Sequence, residues 1–251
     1  MKWISIILIV LTLAHSCKKT ENTVPVIEIP MGTLELIESY KVDVPEPSGL
    51  SFGPGKASLL TVSDHTNQVY ELDMQGNVTR TYDYTGKDLE GVTYNPDKNL
   101  IAIAEEADRE VTLLDYSSGN VEGTYEIDIQ IGAENSGLEG ISYNMNNKLY
   151  YIVNETNPDL MVLWRPESGK ISEEKLGFAA DYSGVFADVD HSNLWFVSDQ
   201  SQSLYKCDYS ANVLLKFSLD KLKYEGVVIN NDLVYLINDA TAELNIYQIK
   251  K

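Results

Sequence analysis

The chain has 251 residues, of which 43% are hydrophobic and 23% charged, and its formal net charge is -19. That balance excludes a wholly disordered chain and a protein of many membrane spans. The negative field argues against nucleic acid as a partner and favours cations.

Residues 1–17 read MKWISIILIVLTLAHSC. Lys2 is a positive start, Trp3 to Ala14 is an apolar run too short to span a bilayer comfortably, and Ser16 is a small residue before Cys17. The stretch resembles a bacterial lipoprotein signal, so residues 1–16 are expected to be removed and Cys17 to carry lipid. His15 is bulky for its place and Leu13 sits one position early, which leaves a secretory signal with an incidental Cys as the other reading. Residues 17–30 are polar with two prolines and read as a tether. The expected address is a bacterial envelope, with anchoring in the outer membrane because Lys18, not Asp, follows Cys17. The other cysteine, Cys207, falls in the alternating run LYKCD and is assigned to packing.

A repeat organises the rest. Pro47-Ser48-Gly49, Leu89-Glu90-Gly91, Leu138-Glu139-Gly140, Tyr182-Ser183-Gly184 and Tyr224-Glu225-Gly226 place their glycines 42, 49, 44 and 42 residues apart. After each glycine come a short alternating run, a turn, and a second apolar run that reaches an acid: Asp64, Glu106, Glu155, Asp199, Asp239. The acid lies 15 residues beyond the glycine in four repeats and 13 in the last. A third run and, in four repeats, a fourth follow. Four short strands in about 44 residues is the pattern of a propeller blade, and no sustained 3.6-residue period supports helices.

The last repeat ends after three strands, whereas Leu34 to Val44 is strand-like without a repeat of its own. This predicts an all-β, five-bladed β-propeller over residues 31–251, its last blade completed by the N-terminal strand at about 34–44. Such a clasp hides a strand edge.

PEPSGLSF, LLTVSDHTNQVYELDMQGNV, DLEGVTY, GLEGISY and EGVVI resemble, in content and order, the SdiA-regulated (YjiK-like) family of envelope propellers. The resemblance covers nearly all of residues 34–250. It implies a ring related to the NHL, TolB-like and gluconolactonase-type propellers, and no settled activity.

Blade geometry predicts where the chemistry gathers. The start of a first strand and the end of the second lie at one end of their hairpin. Ser48, Glu90, Glu139, Ser183 and Glu225 should therefore meet Asp64, Glu106, Glu155, Asp199 and Asp239 at one mouth of the ring. So many carboxylates need raised pKa values, backbone donors or a bound cation. Oxygen ligands suit Ca2+ better than Mg2+, and the near absence of His and Cys disfavours zinc. In the similar gluconolactonase-type rings an acid before the first-strand glycine is a metal ligand, which implies Glu90, Glu139 and Glu225 as ligands here; Ser48 and Ser183 depart from that pattern. The other reading gives these side chains to strand starts and turns.

His65 follows Asp64 and is either a general acid or base at the mouth or an exposed loop residue. His191 is placed at the opposite end. Tyr182 and Tyr224 flank the inner set and serve either to stack on a flat ligand or to pack between blades. The longest spacing leaves an insertion at 128–137, from which Glu134 would reach the mouth. The leading expectation is a monomeric, lipid-anchored binding or scaffold propeller with a calcium-holding mouth for a small molecule or peptide. The alternative is a metal-dependent hydrolase of lactones or phosphoesters. A third reading is a ring that binds partners through its outer edges.

Overall fold

The computed structural model describes residues 28–129, 136–220 and 223–250. The expected signal at 1–16, Cys17, most of the expected tether and Glu134 lie outside the described residues. Among the described residues, no helix is long and apolar enough to cross a membrane.

Five antiparallel four-stranded sheets follow one another around a ring. Blade 1 holds β2 (Pro47–Phe52), β3 (Leu59–Ser63), β4 (Gln68–Leu72) and β5 (Val78–Thr81). Blade 2 holds β6 (Leu89–Asn95), β7 (Leu100–Glu105), β8 (Glu110–Asp115) and β9 (Val121–Glu126). Blade 3 holds β10 (Leu138–Asn144), β11 (Leu149–Asn154), β12 (Leu160–Arg165) and β13 (Gly169–Lys175). Blade 4 holds β14 (Gly184–Asp188), β15 (Asn193–Ser198), β16 (Ser203–Cys207) and β17 (Val213–Ser218). Blade 5 holds β18 (Tyr224–Asn230), β19 (Leu233–Asn238) and β20 (Glu243–Lys250), with β1 (Thr33–Lys41) as its outer strand.

Burial explains the different look of the strands in sequence. Each second strand lies between neighbouring blades and is covered on both faces, so LLTVS, LIAIAE, LYYIVN, NLWFVS and LVYLIN are almost continuously apolar. Outer strands such as β13 (GKISEEK) are almost wholly exposed and polar. Among the described residues the apolar core is divided and not central. Five apolar clusters each fill one wedge between adjacent blades, for example Tyr151, Val153 and Met161 of blade 3 against Val185 and Phe196 of blade 4. Cys207 belongs to that wedge, and burial pushes its thiol up to about 12, so packing is its role.

The expected clasp is present. β1 pairs antiparallel with β20 from Thr33↔Lys250 to Lys41↔Glu243, with an irregularity between Leu36 and Glu38. The strand stops before Val44, the expected limit. Val42 and Val44 instead turn inward and fill the wedge between blades 5 and 1. Just upstream, Lys216 N–H donates to Pro30 O at 3.0 Å and Gly32 N–H donates to Lys216 O at 2.8 Å. The N-terminal segment therefore ties blade 4 as well as blade 5.

Candidate functional site

The site begins with a steric requirement at the axis, where five first strands converge. A Cβ on Gly49 would lie 2.7 Å from Glu90 O, on Gly91 2.7 Å from Glu139 O, and on Gly140 2.8 Å from Val185 N. On Gly184 it would lie 2.8 Å from Glu225 O, and on Gly226 2.5 Å from Gly49 C. Each glycine thus abuts the main chain of the next blade, and the last abuts the first. Gly49 also has a φ of 59°, which side chains resist. The space enclosed within this glycine ring is about 10 Å³, at most one water. The axis is pinched there and divides into two mouths.

One mouth is the acidic one. A cavity of about 160 Å³ is lined by Ser48, Glu90, Glu139, Ser183 and Glu225 from the strand starts and by Asp64, Glu155, Asp199 and Asp239 from the second-strand ends. Glu106 stands beside them: its carboxylate lies within 4.8 Å of those of Glu139 and Glu155, and also of those of Asp88 and Glu90. All ten residues expected at this mouth are therefore brought together.

The residue before each second-strand acid is what fixes the turn. Ser63, Glu105, Asn154, Ser198 and Asn238 are all buried. Glu105 accepts from Tyr84 Oη and Thr112 Oγ1, each at 2.6 Å, and from Lys87 N–H at 2.8 Å. Asn238 Oδ1 accepts from Thr241 N–H at 2.9 Å. With the turns held this way, the acids that follow are free to face the cavity.

Their electrostatics reflect that crowding. Burial pushes Glu90 up to about 9, helped by Asp64, Glu225 and Glu106 and opposed by the Ser48 hydroxyl. Burial, then Asp88, pushes Glu106 up to about 7. Burial, opposed by Lys223 and reinforced by Asp199, pushes Glu225 up to about 7. Burial, then Asp239 and Glu46, pushes Asp64 up to about 6. Glu139 is held well above the ordinary range by burial and then by Glu90 and Glu106. Burial also raises Glu155 and Asp239. Asp64 Oδ1 and Asp239 Oδ1 are buried without a hydrogen-bond partner. Two ionised carboxylates about 5 Å apart repel by about 3 kcal/mol at an effective dielectric of about 20. The two trios, Asp88–Glu90–Glu106 and Glu106–Glu139–Glu155, are arrangements that could hold a metal ion.

Some expected residues fall elsewhere, and some that line the cavity are engaged by neighbours. His65 is exposed, 3.4 Å from Glu46 Oε2, and does not line the cavity. Glu225 lines it but belongs to neither trio, and its Oε1 is 3.4 Å from Lys223 Nζ. Ser48 Oγ donates to Glu90 O at 2.8 Å, and Ser183 Oγ accepts from Asp199 N–H at 3.2 Å. Tyr182 and Tyr224 are packing residues: Phe178 N–H donates to Tyr182 Oη at 3.0 Å, and the Tyr224 and Tyr247 hydroxyls meet at 2.7 Å. His191 sits at the other end, 2.9 Å from Asp188 Oδ2. There the second mouth forms a larger cavity, about 280 Å³, walled by Phe52, Tyr94, Tyr143 and Phe186.

The repeat reading missed one register position, three residues before each glycine: Glu46, Asp88, Gly137, Asp181 and Lys223. Asp181 and Lys223 line the cavity, and Asp88 completes a trio. The position lies one residue upstream of the repeated tripeptide, and its residue type changes from blade to blade. Asp181 anchors the turn after β15, accepting from Ser198 Oγ and from Gln200 N–H at 3.1 Å.

A model of the SdiA-regulated family matches residues 37–230. The chain belongs to the SdiA-regulated family. Among solved structures it is similar to the glutaminyl cyclase of Myxococcus xanthus, with a TM-score of 0.68 and 11% identity over 89% of this chain and 100% of that one. A chain in the structure of the mitotic checkpoint complex is similar with a TM-score of 0.53 and 11% identity, over 80% of this chain and 61% of that one. These likenesses show the fold alone.

Proposed function

We propose that this member of the SdiA-regulated family is a lipid-anchored envelope propeller that binds calcium in its acidic mouth and uses the ion to hold a small-molecule or peptide ligand. The observation that carries this reading is the pair of carboxylate trios sharing Glu106. Oxygens on opposite sides of a calcium ion stand about 4.6–5.2 Å apart, twice the usual ligand distance. Each trio has its oxygens within 4.8 Å of one another, so the spacing suits that ion with little adjustment. The orphaned oxygen of Asp64 supports a positively charged occupant of the same cavity. Glu90, Glu106 and Glu139 would be the ligands, joined by Asp88 or Glu155. The anchor rests on the sequence of residues 1–17, in which Cys17 would carry the lipid and the outer membrane would be its site.

Calorimetric titration of the chelator-treated protein with Ca2+ at neutral pH tests this. Saturable binding that is lost in Glu90→Gln and Glu139→Gln supports the reading. Absence of heat and of thermal stabilisation at millimolar calcium contradicts it. For the anchor, palmitate labelling lost in Cys17→Ala is the expected result, and unlabelled full-length protein counts against it.

A further inference from the structure

Two sides of the acidic mouth are built from the same repeat positions, and they differ in the sign of one side chain, a difference of two charge units. In blade 2 the residues three before the glycine, one before it, and at the second-strand acid are Asp88, Glu90 and Glu106, which form a trio. The same three positions of blade 5 hold Lys223, Glu225 and Asp239, all lining the cavity. Both Asp88 and Lys223 have left-handed backbones, with φ of 57° and 65°. Their main chains also act alike: Glu106 N–H donates to Asp88 O, and Asp239 N–H donates to Lys223 O, each at 2.9 Å. The frame is thus conserved within the molecule while the side chain changes sign.

Lys223 Nζ lies 3.4 Å from Glu225 Oε1 and 3.8 Å from Asp199 Oδ2. It is the only lysine or arginine lining the cavity among the described residues. We infer that Lys223 is a built-in counter-ion that takes the place of a bound cation in the blade 4–5 lobe and so confines metal binding to the lobe of blades 2 and 3. This rests on the calcium reading above. A separate observation points to an occupant of the blade 2–3 lobe. Glu139 is 8% exposed and lines the cavity, and its carboxylate has no hydrogen-bond or ion-pair partner among the described residues. A buried carboxylate left so is costly unless a cation meets it. Glu225, equally buried at the same repeat position, has its lysine.

Exchanging the charges tests the inference on the full chain, by Ca2+ calorimetry and thermal unfolding with and without chelator. Lys223→Asp should bind one more equivalent of Ca2+ than the wild type. An aspartate also suits the left-handed backbone there, and the Lys223 N–H bond to Asp199 Oδ1, at 2.5 Å, is kept. Asp88→Lys should weaken calcium binding at least roughly tenfold, through the lost ligand and the added charge. Should Lys223→Asp not fold without metal, Lys223→Gln provides the second readout: its calcium-induced rise in Tm should exceed that of the wild type. Unchanged stoichiometry in Lys223→Asp and an unchanged Tm shift in Lys223→Gln, alongside a wild type that binds calcium, overturn the inference alone. A wild type that binds no calcium overturns both readings.

Discussion

A Cβ built on Gly226 would stand 2.5 Å from the carbonyl carbon of Gly49. These residues belong to the last and first repeats, so ring closure is read directly from one backbone contact. Gly226→Ala should force the two blades apart and destabilise the protein by about 3 kcal/mol, the upper range for overpacking. Gly177→Ala, where a Cβ would meet nothing within 4 Å, should change stability by less than about 0.5 kcal/mol. Urea unfolding of the two variants checks this; equal midpoints would contradict the ring contact.

The clasp makes a second prediction. Removing the residues before 42 deletes β1, exposes the whole edge of β20 and cuts the link to β17. The shortened protein should unfold roughly 6–12 °C lower, on the order of 3 kcal/mol at about 2–4 °C per kcal/mol. It should also associate through the bare edge. Differential scanning calorimetry and light scattering read both effects.

The pH dependence of the metal-free protein has a definite sign. Asp64, Glu106, Glu225 and Glu90 are raised to about 6, 7, 7 and 9 from ordinary values of 3.8 or 4.5. Groups with raised pKa values bind protons more tightly when folded. Their contribution is complete below pH about 4 and is lost as pH rises through 6 to 9. In chelator, Tm should fall on the order of 5 °C between pH 5 and pH 9. Calcium, which needs ionised carboxylates, should restore more of it at pH 9 than at pH 5. A metal-free Tm that climbs over that range would contradict the crowding.

Glu139→Gln separates the cost of a carboxylate from its use. In chelator at pH 8 the variant should be more stable than the wild type, on the order of 1 kcal/mol, because an unpartnered buried acid is gone. In saturating calcium the order should reverse. Thermal melts of both proteins under both conditions measure it.

The sequence reading reached the ring, its five repeats, the N-terminal clasp and the acidic mouth, and each for a physical reason. A steric need at the axis leaves a glycine, and a turn at a fixed distance leaves an acid. Lys223 and Asp181 escaped it because their position tolerates Glu, Asp, Gly or Lys, so no residue type repeats there. His65 lies next to Asp64 in sequence but points to Glu46 and solvent, since neighbours on a turn need not share a direction. The ion pair of Glu225 with Lys223 is likewise a matter of side-chain direction, two residues apart on one strand entry. Spacing alone did not separate Glu225 from Glu90 and Glu139.

The central claim is that a cation belongs among Glu90, Glu106 and Glu139. An anomalous difference map from crystals grown with calcium addresses it most directly. The account predicts a single strong peak in the lobe of blades 2 and 3, within about 2.6 Å of oxygens from at least two of those carboxylates. A map without a peak there, with the three carboxylates turned onto main-chain amides, would contradict it.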